Sequence, residues 1–280
     1  RFDATAAIDN YDFLHWIKAE IFNFIKDIKP FFTIAEHVPQ DTTVAGPEGP
    51  LDAAWHETFS KQMMSTLTGT DREGRQPFNL DGMTAVLNPR IEGFASPFNV
   101  VNYIDNHDQT RILWLLGQNG ILDEPAFRRV KMGAALMLTA PGTPMLWMGQ
   151  EFGESAERTT ASQSLDWSLL QNQRNSDLRN FYTGLINLRK HTEALNLDTV
   201  EIIHADPKRS IIAFKRWDMN GGVVVVVANL RDQFAGDVHI ANWPGDGKWH
   251  EYTDNYDTEI QGGVLNDKLA ESEVKVFIKA

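Results

Sequence analysis

The sequence predicts an α/β chain built on a parallel sheet, followed by a separate antiparallel β-domain. Three observations carry this. Over roughly the first 197 residues, short apolar runs alternate with amphipathic helical stretches, the pattern of a doubly wound sheet or a (β/α) barrel. After about Asp198 the helical period disappears. "SIIAFKRW", "GGVVVVVANL", "GDVHI", "KWHEYT" and "EVKVFIK" follow as short strands between turns, which indicates a small β-sandwich. The boundaries expected are therefore 1–197 and 198–280.

The elements are justified in chain order. From Tyr11 to Lys29, Phe13, Leu14, Ile17, Ile21, Phe24, Ile25 and Ile28 recur at helical spacing, and Pro30 stops the helix. "FFTIAEH" (Phe31 to His37) reads as a buried strand. "LDAAWHE" (Leu51 to Glu57) reads as a second strand, and "VVNYIDNHD" (Val100 to Asp108) as a third that ends in polar residues. A helix is expected from about Pro125 to Leu138, a strand into a Gly turn from Thr143 to Glu151, and a long helix from about Ser176 to His191. Two long loops, after His37 and from Thr68 to Asn99, are candidate functional segments. Val223 to Ala228, apolar and β-branched, is a buried strand by length.

Composition narrows the function. The chain has 280 residues, 42% of them hydrophobic, which is enough for a sizeable core. No apolar run is long enough to span a bilayer. A formal net charge of −12 argues against binding nucleic acid through a basic surface. There is no cysteine, so thiolate metal sites and disulfides are excluded, in keeping with a reducing, cytoplasmic setting. Eight tryptophans offer flat apolar platforms of the kind that sugar rings stack on.

In parallel α/β folds the reacting groups collect at the C-terminal ends of the strands. Those ends carry Arg1 and Asp3; Glu36 and His37; Asn106, His107 and Asp108; and Gln150 and Glu151. Period-two alternation puts Arg1 and Asp3 on one face, with Phe2 on the other. A guanidinium beside Asp3 keeps it ionised and aimed, as a nucleophile requires. Glu36 ends an apolar run, where burial and neighbouring acids favour the protonated form of a general acid. Asp108 is a third acid, with His107 beside it. A nucleophile and an acid about 5 Å apart give glycoside cleavage with retention.

"RFDAT", "TIAEH" and "NYIDNHDQTR", in that order, resemble the nucleophile, acid/base and transition-state-stabiliser motifs of the α-amylase family. "GTPMLWMGQEFGE" resembles the strand-eight region of its branching-enzyme, isoamylase and trehalohydrolase members. The resemblance implies catalytic roles for Asp3, Glu36 and Asp108, support of the nucleophile by Arg1, and a grip on sugar hydroxyls by His107. It also implies an α-glucan substrate such as glycogen, starch or a maltooligosaccharide, and no organic cofactor. In the family the nucleophile ends strand four of an eight-stranded (β/α) barrel. Strands one to three are thus expected upstream of Arg1, in a missing N-terminal part of the same polypeptide that also supplies a calcium site where the family has one. No metal ligand is assigned within this sequence. Ala6 and Ala7 stand where many α-amylases carry Lys-His, which argues against an ordinary starch amylase. The leading expectation is a 1,4-α-glucan branching activity. The alternatives are a hydrolase of the same family or an inactive glucan-binding fragment.

Other polar residues have plainer expectations. Asn106 can form an Asx turn. Glu151 is expected to accept backbone N–H groups in its Gly turn, and His37 and His56 to be rim or structure. Trp55 and Trp147 are placed in strands as core or cleft wall, and Trp167 as a candidate wall of a glucan groove. A sheet that starts at the fourth strand also leaves an unpaired edge, prone to association.

Overall fold

The computed structural model describes residues 1–69 and 79–279. Four short strands form a parallel sheet in the order β1 (Ile34–Ala35), β2 (Ala53–Trp55), β3 (Val100–Asn102) and β4 (Thr143–Pro144). Phe2 adds a fifth rung through a parallel bridge to Ala35. Its N–H donates to the Ile34 carbonyl, and its own carbonyl accepts from Glu36 N–H. Asp3 and Glu36 therefore leave neighbouring rungs side by side.

The expected strands are present but shorter, because each leaves its ladder as soon as it reaches polar, loop-forming residues. The ladder ends at Trp55, and His56 leads directly into a helix, α2 (Glu57–Thr68), that lacks a long enough apolar pattern to be legible in the sequence. β3 stops at Asn102, so His107 and Asp108 lie on a turn beyond it. β4 stops at Pro144, which leaves Trp147 outside the strand. Of the loop expected between Thr68 and Asn99, residues 70–78 lie outside the described residues, and the remainder carries α3 (Leu80–Leu87).

The helix α1 spans Tyr11–Ile25, where Asn10 accepts from Asp12 N–H at 2.8 Å as an N-cap. Its apolar residues do not share one buried face. Leu14 is fully buried, whereas Trp16, Phe22 and Phe24 are exposed, the last at 81%. Phe31 and Phe32, expected in a buried strand, are also exposed. Further along, α4 (Ile112–Gln118) was not legible, while α5 (Asp123–Thr139) and α6 (Gln173–His191) lie where expected. No helix among the described residues is long and apolar enough to cross a membrane.

From Glu201 onward the described residues hold strands. A six-stranded antiparallel sheet runs β10 (Tyr256–Ile260), β9 (Gly247–Glu251), β12 (Val274–Lys279), β7 (Val223–Asn229), β6 (Ile211–Trp217) and β5 (Glu201–Asp206). The pair β11 (Leu265–Leu269) and β8 (Gly236–Ile240) covers one of its faces. There Ile211, Ala213, Val225, Val227, Trp249 and Phe277 meet Val238 and Ile240. The alternate residues Ile212, Phe214, Val224, Val226 and Val276 pack on the other face with α5 and α6. This is why β6, β7 and β12 read as continuous apolar runs: both faces are covered.

Two arginines meet at the C-terminal end of α5, and the fully buried Arg216 also joins the α/β part to the β-domain. Arg216 of β6 donates to the carbonyls of Thr139 (2.6 Å), Leu195 (3.3 Å), Leu197 and Thr199. Arg189 of α6 donates to Leu138 (2.7 Å), Ala140 (2.9 Å) and Gly142 (2.6 Å). Together they satisfy the carbonyls of Leu138, Thr139 and Ala140 at the C-terminal end of α5, where a cation also complements the helix dipole. Burial pulls their pKa values down, to about 10 for Arg189 and about 9 for Arg216, so both remain charged at neutral pH. At the surface, Arg90 donates to the Asp198 carbonyl at 2.9 Å and pairs with its carboxylate. Both partners are exposed, so Arg90→Ala should cost no more than about 1 kcal/mol in a denaturant titration.

Candidate active site

Arg1 organises the site. Its Nη2 lies 2.8 Å from Asp3 Oδ1, and its Nη1 donates to Glu36 Oε2. One planar fork thus holds one oxygen of each carboxyl group. The same guanidinium sits 4.8 Å from the centroid of the Trp55 ring, a cation–π contact that fixes its plane. Trp55 packs edge-on to His107 at 6.1 Å between centroids and against Tyr103 at 5.4 Å. Residues from four separate loops or strand ends therefore share one Trp ring and one guanidinium.

The backbone beneath is equally constrained. Thr5 N–H donates to the Glu36 carbonyl, and Thr5 Oγ1 contacts both that carbonyl (2.9 Å) and His37 Nδ1 (3.0 Å). Thr5 is fully buried. Between them Ala4 takes a left-handed conformation (φ 44°), unusual for a residue with a Cβ. It turns the chain back towards Glu36 directly after Asp3. Ala6 and Ala7 follow, exposed, in a short 3-10 turn.

The two carboxyl groups differ in exposure. The Asp3 side chain is 76% accessible and that of Glu36 only 17%. Burial raises the pKa of Glu36 above the usual carboxylate value. Hydrogen bonding with Asp3 adds to this, the Arg1 charge opposes it, and the charges of Asp3 and Asp108 reinforce it. Glu36 thus feels the charge of both of the other acids predicted from the sequence.

Asp108 and His107 occupy a turn. Asn106 Oδ1 accepts from Asp108 N–H at 2.9 Å, the expected Asx turn. His107 Nε2 lies 3.2 Å from Asp108 Oδ2. The neighbouring Asp105 instead accepts from Ile112 N–H at 2.8 Å, at the start of α4. Arg111 stacks on Trp147, 3.8 Å from the ring centroid, and donates to the Met148 carbonyl at 3.1 Å. Trp147 is therefore a cleft wall rather than a strand residue.

The remaining polar residues are structural. His56 is fully buried between Asn102 Oδ1 (2.7 Å) and Glu92 Oε2 (2.5 Å). Burial pushes the Glu92 carboxyl up, but hydrogen bonds from His56 and Thr58 outweigh it and hold the group below its usual range. Glu151 accepts from Gly149 N–H at 2.8 Å, and Gln150 donates to the Tyr182 hydroxyl at 3.1 Å. Trp167 is 62% exposed and packs against Phe152, with ring centroids 5.1 Å apart. No group of three or more His, Asp or Glu side chains able to hold a metal ion occurs among the described residues.

Two contributors were not legible in the sequence. Glu154 is buried, and its carboxylate accepts from the N–H groups of Ser155, Ala156 and Asp166. It ties both ends of the 155–166 loop to one point. The other is Arg158, on that loop, whose Nε donates to the His107 carbonyl at 2.8 Å. Only tertiary folding brings position 158 to position 107, so spacing along the chain holds no trace of it.

Comparison with known proteins fits this geometry. Residues 6–182 match the family described as "Alpha amylase, catalytic domain", and residues 202–276 match "Alpha amylase, C-terminal all-beta domain". Arg1 and Asp3 precede the first matched span. The 1,4-α-glucan branching enzyme GlgB 2 of Xanthomonas euvesicatoria pv. vesicatoria is 35% identical over 156 residues, 53% of this chain and 21% of that protein. The amylopullulanase of Thermoanaerobacter thermohydrosulfuricus is 25% identical over 154 residues, 48% of this chain and 10% of that protein. In each case the match spans no more than about a fifth of the relative's length. The fold is shared with solved structures. AmyP, a variant bound to maltotriose, superposes with a TM-score of 0.81 at 15% identity, over 99% of this chain and 63% of that one. The α-amylase of Geobacillus thermoleovorans, complexed with acarbose, gives 0.76 at 16% identity, over 96% and 57%. With the catalytic-domain match covering well over half of its residues, this chain belongs to the α-amylase family.

Proposed function

We propose that this chain, with a catalytic part at 1–197 and a β-domain at 198–280, contributes the reacting groups of a retaining 1,4-α-glucan branching enzyme. The observation that carries the chemistry is the single Arg1 fork holding both Asp3 and Glu36. Two nitrogens of one guanidinium bring the two carboxyl groups close together, which supports a retaining pair, whose carboxyl groups stand roughly 5 Å apart, over the wider spacing of an inverting pair. Asp3, open to solvent and paired with a cation, attacks the anomeric carbon. Glu36, with its raised pKa, donates its proton to the leaving glycosidic oxygen. The transferred chain is then esterified to Asp3 while Asp108 and His107 hold the sugar hydroxyls. A 6-hydroxyl of another chain gives its proton to Glu36 and displaces Asp3, which closes the cycle.

The likeness to branching enzymes supports transfer as the outcome. Likeness to an amylopullulanase supports hydrolysis as the second reading, because the same acids serve both and only the acceptor differs. On either reading the sheet of this chain supplies strands four to eight of a barrel. With amylose as substrate, new α-1,6 linkages without a matching rise in reducing ends are expected. Reducing ends without branch points would replace transfer with hydrolysis.

The electrostatics add a pH prediction. Activity needs Glu36 protonated, so kcat/KM falls as pH rises through the Glu36 pKa. Arg1 lowers that pKa and the neighbouring acids raise it. Arg1→Gln should therefore move the alkaline limb of the pH profile upward while reducing its height. A limb that stays in place or moves down would separate Glu36 from the acid role.

A further inference from the structure

We propose that Arg158 is a positioning residue for the His107–Asp108 pair, acting as a clasp between the 155–166 loop and the catalytic turn. The inference rests on the reading of Asp108 given above. Arg158 reaches the turn with two different groups. Its Nε donates to the His107 carbonyl at 2.8 Å, and its Nη2 lies 3.7 Å from Asp108 Oδ1. His107 Nε2 stands 3.2 Å from the other oxygen, Oδ2. The Asp108 carboxylate is thus flanked on each oxygen by a nitrogen, while Arg158 also pins the backbone that carries it.

The turn needs an external clasp. Beyond the ladder, the turn is held internally through Asn106, whose side chain accepts from Asp108 N–H and whose carbonyl accepts from Gln109 N–H, and the His107 and Asp108 side chains are about half exposed. The loop that supplies Arg158 is itself anchored. Glu154 accepts from N–H groups at both of its ends. Gly149 and Gly153 (φ 93° and 78°) make the bends ahead of it. A Cβ at Gly149 would come within 2.8 Å of Glu154 Cβ and Leu165 Cδ2. Arg158 therefore extends from a cinched base rather than a free tether. Between loop and turn lies an open cleft of about 220 Å³, lined by His107, Arg111, Trp147, Glu154, Arg158 and Gln163. A guanidinium suits this place better than an ammonium, because its planar set of donors can serve a carbonyl and a carboxylate together.

A group that only orients Asp108 should act on the transition state more than on binding. Arg158→Gln is expected to lower kcat on α-glucan by about 10- to 100-fold, the scale of a misplaced reacting group, with KM changed less than threefold. In an Asp108→Asn background the same substitution should have almost no further effect, because no carboxylate remains to be aimed. A merely structural Arg158 would lower the melting temperature and multiply with Asp108→Asn, and that result would overturn the proposal. So would an unchanged kcat in a wild-type enzyme that does turn over α-glucan. If Asp108→Asn itself left kcat intact, the reading of Asp108 would fail first and the positioning role with it.

Discussion

Replacing Glu36 with Gln is expected to reduce turnover of an unactivated α-1,4-glucan by roughly 10²- to 10⁴-fold, the usual contribution of a general acid. The same substitution should spare the first step with a donor such as an α-glucosyl fluoride. Fluoride leaves with little help from a proton, so Asp3 can still attack. The second step then lacks its base, and the glucosyl unit should accumulate on Asp3. Mass spectrometry of the peptide that carries Asp3 reads this directly, and Asp3→Asn should abolish both the adduct and the turnover. The raised pKa of Glu36 and the exposure of Asp3 support the proposed roles in this order rather than the reverse. An adduct on Glu36 in the Asp3 variant, or full activity of Glu36→Gln on amylose, would sink the assignment.

The largest expected effect on stability lies far from the site. Arg216→Leu removes the donors to the carbonyls of Thr139, Leu195, Leu197 and Thr199, in a region closed to solvent. Each buried acceptor left without a partner costs about 1–3 kcal/mol. The carbonyl of Thr139 also carries the negative end of the α5 dipole. A total near 4 kcal/mol, with some relaxation allowed for, should lower the melting temperature by roughly 10 °C. Arg189→Leu should behave similarly, since it serves three carbonyls at the same helix end. The pair act on one cluster, so the double substitution should cost less than the sum. A loss below about 1 kcal/mol for Arg216→Leu would mean that water replaces the guanidinium.

The candidate acids were legible because short motifs hold them: "RFD", "AEH" and "NHD" each place an acid just beyond an apolar run. α1, α5 and α6 were legible because their apolar residues recur at helical spacing. α2, α3 and α4 were not. α2 draws its burial from Ser, Thr and Met as much as from strong hydrophobes, and α3 and α4 are only eight and seven residues long. Strand lengths were overread for a related reason. Apolar residues such as Tyr103 and Ile104 are buried beyond the end of β3, so hydrophobicity persists after the ladder has stopped.

The sequence by itself determined the order of the main elements, the change to antiparallel strands after Asp198, and which acids stand just beyond the strand ends. These depend on local patterns of side chains, which the chain carries wherever it goes. Only the tertiary structure decided which guanidinium serves which oxygen. Arg1 spans to Glu36, Arg158 to His107 and Arg216 to Thr139. Such contacts join positions tens of residues apart, and they are fixed by the three-dimensional packing of rungs and loops rather than by any spacing along the chain.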